Sequence, residues 1–164
     1  MSIPSILEDV RGFKTKLVCI TGGEPLINKE TPLLAEALLN ERYTVLVETN
    51  GSCDISVLPK AAIKIMDLKC PDSNASPLMH WQNIAYLTPL DEVKFVLSSR
   101  KDYEWAKAII QQHCLSEIAR VLIGTASGAI PPKTVVQWLL EDNLNVRFQL
   151  QIHKYIWEPH ARGV

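Results

Sequence analysis

Leu17-Val18-Cys19-Ile20-Thr21-Gly22-Gly23-Glu24-Pro25 is the stretch on which the fold turns. Its first four residues are apolar without alternation, as in a strand buried on both faces of a parallel sheet. Thr21-Gly22-Gly23 then stops the run. Two glycines leave the backbone open to close approach, so its N–H groups can donate to a ligand. Glu24 stands where a carboxylate can receive a ligand ammonium, and Pro25 sets the exit. A Gly-Gly pair after a strand is often only a tight turn; the full run through Leu26 is rarer by chance.

Working outward, Ile3, Ile6, Leu7 and Val10 recur at helical spacing, with Ser2 as N-cap, Pro4 in the first turn and Gly12 closing the helix. Downstream, Thr31-Pro32 reads as a cap followed by proline, with Leu33, Leu34, Ala37 and Leu38 as one stripe. Strands follow at Thr44 to Glu48, Ile63 to Leu68, Val93 to Leu97 and Val121 to Ile123. Ser99 and Asp102 form a capping box before the helix carrying Trp105, Ile109 and Ile110. Pro131-Pro132 opens another helix, with Val135, Val136, Leu139 and Leu140 inward. The last strand, Val146 to Ile152, alternates strictly. Strands alternating with helices over short links predict parallel β–α units in one domain, residues 1–164. The first strand is already hydrophobic with only a helix before it, so its free edge invites pairing with another chain. The order reads as though an earlier strand is missing.

The chain has 164 residues, 47% hydrophobic and 21% charged, with a formal net charge of −1. Such a balance offers no field to steer nucleic acid or an anionic membrane, and favours a small neutral or zwitterionic ligand. Met1 to Phe13 carries Glu8 and Asp9 and does not read as a signal peptide, and no stretch approaches the ~18 apolar residues of a membrane span. A cytoplasmic protein with reduced thiols is expected. Cys19, Cys53, Cys70 and Cys114 are far apart in sequence and make no C-x-x-C pair. Their ordinary reading is as small buried hydrophobes.

In parallel sheets, ligands bind beyond the carboxyl ends of the strands. Asp67 and Lys69 share a face there, and alone are a structural ion pair worth under about 1 kcal/mol if exposed. Glu48 is either a satisfied barrel carboxylate or a substrate contact. On the last strand, Arg147, Gln149, Gln151 and His153 oppose Val146, Phe148, Leu150 and Ile152. Glutamines and histidine offer donors and acceptors without fixed charge, which suits the edge of a heterocycle. A plain solvated face is the competing reading. Trp105 and Trp138 read as packing, and His80, His113 and His160 as surface residues.

Ile20 to Leu26 resembles the glycine–glycine–glutamate–proline motif that binds the methionine moiety of S-adenosylmethionine in radical enzymes. Further matches follow in order: Glu48-Thr49-Asn50-Gly51, Met66 to Pro71, and Asp91 to Val96. The ending Gln149 to Lys154, with Trp157 and Arg162-Gly163-Val164, resembles 7-carboxy-7-deazaguanine synthases in particular. The resemblance implies an incomplete parallel (β/α) barrel of the radical S-adenosylmethionine type. It also implies a lyase that contracts the ring of 6-carboxytetrahydropterin with loss of ammonia, on the way to queuosine. Gly22, Gly23, Glu24, Asn50, Asp67, Leu68 and Lys69 would contact S-adenosylmethionine. Thr21, Glu48, Gln151, His153 and Val164 would contact the small-molecule pterin. A homodimer is implied, with no nucleic-acid or membrane partner.

The same resemblance implies a [4Fe–4S] cluster on a C-x-x-x-C-x-x-C-type loop and a Mg2+ ion beside it. None of the four cysteines matches that loop. The loop, the first strand and the Mg2+ position would lie upstream of Met1, so this chain as given is expected to be inactive. Either an N-terminal segment is omitted, or the chain is a degenerate relative kept as a non-catalytic S-adenosylmethionine or nucleotide binder. A glycyl-radical activating enzyme shares Gly23 and Glu24 but gives no reason for the Gln149 to Trp157 ending.

Overall fold

The six apolar runs pair in chain order. In the computed structural model, which describes residues 1–73 and 78–158 except the side chains of 153 and 155, they form one all-parallel sheet. Its strands are β1 (Leu17–Ile20), β2 (Thr44–Thr49), β3 (Ile63–Asp67), β4 (Glu92–Leu97), β5 (Arg120–Thr125) and β6 (Arg147–Phe148). The spatial order follows the sequence order without reversal. A doubly wound sheet reverses at a switch point; an unreversed order winds one way, as a barrel does. Among the described residues β1 and β6 each have one neighbour, so the barrel is not closed.

The helices are α1 (Ile3–Arg11), α2 (Thr31–Asn40), α3 (Arg100–Gln112), α4 (Leu115–Ile118), α5 (Pro132–Glu141) and α6 (His153–Ile156). Val45, Val47, Met66, Val93, Phe95, Leu97, Val121 and Ile123 are buried in the main core. The alternate residues Glu48, Asp67, Glu92, Lys94 and Val96 occupy the opposite, less covered face. None of the described helices is long and apolar enough to cross a membrane.

Local signals held where they concern backbone ends. Ser2 caps α1 by accepting from Ser5 N, and Ser99 caps α3 by accepting from Asp102 N at 3.1 Å. Several side-chain expectations are corrected. β1 is an edge, not a strand buried on both faces: Leu17 is 53% exposed, and Cys19 is exposed too. Cys114 is likewise exposed, where the chain turns through a left-handed residue between α3 and α4. Thr31 is the first residue of α2 rather than its cap, and its hydroxyl donates to Pro25 O at 2.6 Å. Leu33 and Leu140 face solvent, because each lies at the margin of its apolar stripe.

The last strand departs most. Only Arg147 and Phe148 form a ladder, against Leu122 and Ile123, and Gln149 N donates to Ile123 O at 2.8 Å. Beyond it the bonds turn local, Lys154 N to Gln151 O at 2.9 Å and Ile156 N to Ile152 O at 3.1 Å, and His153 begins α6 instead of extending the strand. Alternation predicts faces, but a ladder needs a partner, and an edge strand has one on one side only.

Gly51 follows β2 with φ +74°, and a β-carbon there would lie 2.5 Å from Met79 Cε and 3.2 Å from Met66 Cγ. Its carbonyl accepts from His80 N and from the side chain of the fully buried Asn83. Gly51→Ala is therefore expected to cost about 1–3 kcal/mol, the strain of a left-handed non-glycine residue. A thermal scan should show a melting point lower by about 2–4 °C per kcal/mol.

Candidate functional site

Glu24 organises the turn after β1. Its carboxylate accepts from Leu26 N at 3.0 Å, from Thr49 Oγ at 2.9 and 3.0 Å, and from Asn50 N at 2.7 Å. The residue is 9% exposed. Its side chain thus faces inward and is satisfied by the protein, tying the exit of β1 to the exit of β2. The part of the segment left for a ligand is backbone. Nothing lies within 4 Å of the β-carbon positions of Gly22 or Gly23. Thr21 Oγ donates to Glu48 Oε2 at 3.3 Å.

This turn opens into a cavity of about 130 Å³ walled by Thr21, Gly22, Gly23, Glu48, Asn50, Asp67, Lys69 and Lys94. Asp67 Oδ2 pairs with Lys69 Nζ, while the buried Asp67 Oδ1 has no hydrogen-bond partner among the described residues. A buried lone pair without a donor costs free energy, so it marks a place for one. Asn50 is partly committed, its Oδ1 accepting from Ser52 N at 2.9 Å. Leu68 is fully buried in the core, and its N–H donates to Lys94 O at 2.9 Å.

Two further cavities adjoin. One of about 510 Å³ is lined by Glu48, Lys94, Val96, Gln149 and Gln151 among others. Another of about 330 Å³ is lined by Asp67, Lys69, Lys94, Ser98 and Gln151 among others. Shared walls make them one cleft at the carboxyl ends of the strands. The structure thereby brings together Thr21, Gly22, Gly23, Glu48, Asn50, Asp67, Lys69 and Gln151, all singled out from the sequence. His153 lies on α6, but its side chain is outside the described residues, as is the whole of Val164. Trp105 meets Phe95 edge-on at 6.1 Å, and Trp138 lies 5.2 Å from Tyr103, both in packing roles. A separate cavity of about 420 Å³, lined by Ser116, Arg120 and Arg147 among others, sits at the opposite end of the strands.

Three residues escaped sequence reasoning. Asp102 is fully buried and accepts from Ser98 N at 2.9 Å and Asp72 N at 3.0 Å, joining the exits of β3 and β4. Its place in the Ser99 capping box was the available signal. Asn83 bridges Ile55 N to the Gly51 and Cys53 carbonyls. Lys94 lies inside a quoted motif, but its position in all three cavity walls is visible only in three dimensions.

The cysteines do not make a metal set. Burial, followed by the negative charge of Asp102, pushes the Cys70 thiol up to about 12, so it stays protonated. Burial also raises Cys19, with Glu48 adding to it. No three His, Cys, Asp or Glu side chains among the described residues are grouped to hold a metal ion.

No protein-family model matches the chain. It is 40% identical over 162 residues to the 7-carboxy-7-deazaguanine synthase of Koribacter versatilis, a match spanning 90% of this chain and 72% of that one. It is 36% identical to the 7-carboxy-7-deazaguanine synthase of Chlorobaculum tepidum and 37% identical to that of Clostridium acetobutylicum, each match spanning 100% of this chain and 76% of the relative. The crystal structure of QueE from Escherichia coli superposes with a TM-score of 0.74 at 18% identity, over 92% of this chain and 64% of that one. At that identity the likeness shows the fold.

Proposed function

The chain belongs to the 7-carboxy-7-deazaguanine synthase family, and from that premise we propose that its cleft holds S-adenosylmethionine beside a 6-carboxytetrahydropterin substrate. One observation carries the reading: the open backbone of Gly22 and Gly23 shares a cavity with the partnerless Asp67 Oδ1. The glycine backbone takes the methionine moiety, and Asp67 and Lys69 take ribose hydroxyl or carboxylate. Asn50 and the Leu68 backbone close that side. Glu24 serves by holding the turn in place rather than by side-chain contact. Thr21, Glu48 and Gln151 address the polar edge of the pterin, with His153 and Val164 assigned to the same task on family grounds alone. S-adenosylmethionine would be held here as a ligand, and the share of the described residues is to orient it and the pterin and to exclude water.

The described residues do not fit a [4Fe–4S] cluster or a Mg2+ ion: the cysteines form no converging set, and one is a buried, protonated thiol. We therefore place binding in these 164 residues and expect no turnover by them in isolation. Anaerobic reconstitution should leave iron and sulfide well below one cluster per chain. A homodimer in the cytoplasm completes the proposal, resting on family resemblance.

Calorimetric titration tests it. The chain should bind S-adenosylmethionine without iron, and Asp67→Ala should weaken binding about tenfold or more, the worth of a charge-assisted hydrogen bond. Absence of any binding to the unsubstituted chain removes the reading.

A further inference from the structure

Among the described residues, the charged side chains on the cleft face of the sheet have protein partners, save one. Glu92 Oε1 takes Arg120 at 2.9 Å and Arg147 at 3.4 Å. Asp67 is paired with Lys69. Glu48 accepts from the Thr21 hydroxyl. Lys94, half-buried in the middle of β4, has no hydrogen bond or ion pair from its ammonium to any described residue. Its strand neighbours in register are Asp67, whose Oδ2 pairs with Lys69 while its Oδ1 has no partner among the described residues, and the apolar Leu122.

A half-buried ammonium without a hydrogen bond or ion pair gives up part of its hydration with no direct partner in exchange, and Glu48 and Asp67 in the same walls leave it able to take an anionic ligand. Lys94 also lines all three of the adjoining cavities. On one side lie Gly22, Gly23 and Asp67. On the other lie the amides of Gln149 and Gln151, which suit a neutral heterocycle edge. The Lys94 ammonium thus lies between the glutamine side and the Gly22, Gly23 and Asp67 side of the cleft.

We propose that Lys94 is the specificity-determining residue for an anionic ring substituent, binding the carboxylate of the substrate by a charge-assisted hydrogen bond. The assignment rests on the cleft being the pterin site. Within the cleft it divides the work: Glu48 meets ring donors, Lys94 the acid. Discrimination then follows from charge, because a ring lacking the carboxylate leaves the ammonium as it was, unpaired.

Fluorescence titration of the full chain with 6-carboxypterin and with unsubstituted pterin tests this. The unsubstituted chain should prefer 6-carboxypterin by about tenfold to a hundredfold, the range such a bond carries. Lys94→Gln should abolish the preference by weakening 6-carboxypterin alone, and Lys94→Arg should retain most of it. An unchanged melting temperature in Lys94→Gln would show that the fold is intact. A preference that survives Lys94→Gln overturns the assignment, as does equal binding of both pterins by the unsubstituted chain, which leaves the pterin reading standing. Binding of neither pterin removes that reading and this one together. Should Lys94→Gln not fold, loss of preference for the carboxylate in Lys94→Met decides the matter in the same way.

Discussion

Asp91→Ala is expected to lower the stability of the fold by about 3–5 kcal/mol, the loss that follows when one partner of a buried ion pair is removed. Asp91 is fully buried, and its carboxylate lies 3.1 Å from Lys64 Nζ, itself only 5% exposed at the side chain. It also accepts from Lys64 N at 2.7 Å, Thr88 N at 2.7 Å and Thr88 Oγ at 2.9 Å. Alanine would leave the Lys64 ammonium with one contact, the Ala62 carbonyl at 3.2 Å. The pair with two apolar residues, Lys64→Met with Asp91→Leu, should recover part of the loss, because no charge is then left buried. Urea unfolding measures both; an unfolding free energy for Asp91→Ala within about 0.5 kcal/mol of the unsubstituted chain would show that the pair contributes little. The pair sits at the start of β3 and β4, away from the cleft, so S-adenosylmethionine affinity should change little in whatever fraction stays folded.

Glu24→Ala should behave differently, damaging site and stability together. The substitution strips acceptors from Thr49 Oγ, Asn50 N and Leu26 N in a part of the structure where water has little access. Leaving buried donors unpaired costs about 1–3 kcal/mol each, not fully additive, so about 3 kcal/mol is expected in all. Because Glu24 ties the β1 exit to the β2 exit, the Gly22–Gly23 backbone should lose its fixed aim, and S-adenosylmethionine binding should weaken more than tenfold at a temperature where the variant is folded. Glu24→Gln can accept but meets Asn50 N with an amide, and should fall between. If Glu24→Ala bound the cofactor normally, the turn would not depend on this anchor.

Much of the site was visible in residue order because strand ends in parallel sheets gather at one rim. Thr21, Glu48, Asn50 and Asp67 end three successive strands, so naming the strands placed them together. Gln151 reached the cleft by another route, since the strand expected to carry it stops at Phe148. Glu24 was legible as a site residue, but its direction was not.

From the sequence alone came the parallel β–α order, the cap at Ser2, the cap at Ser99 and the family, because periodicity, caps and motifs are properties of neighbouring residues. Tertiary structure alone decided which charges are satisfied: Glu24 by Thr49 and Asn50, Glu92 by two arginines from later strands, Lys94 by none of the described residues. Pairing depends on what folding brings within a few ångströms across tens of residues, and neither spacing nor propensity carries that distance.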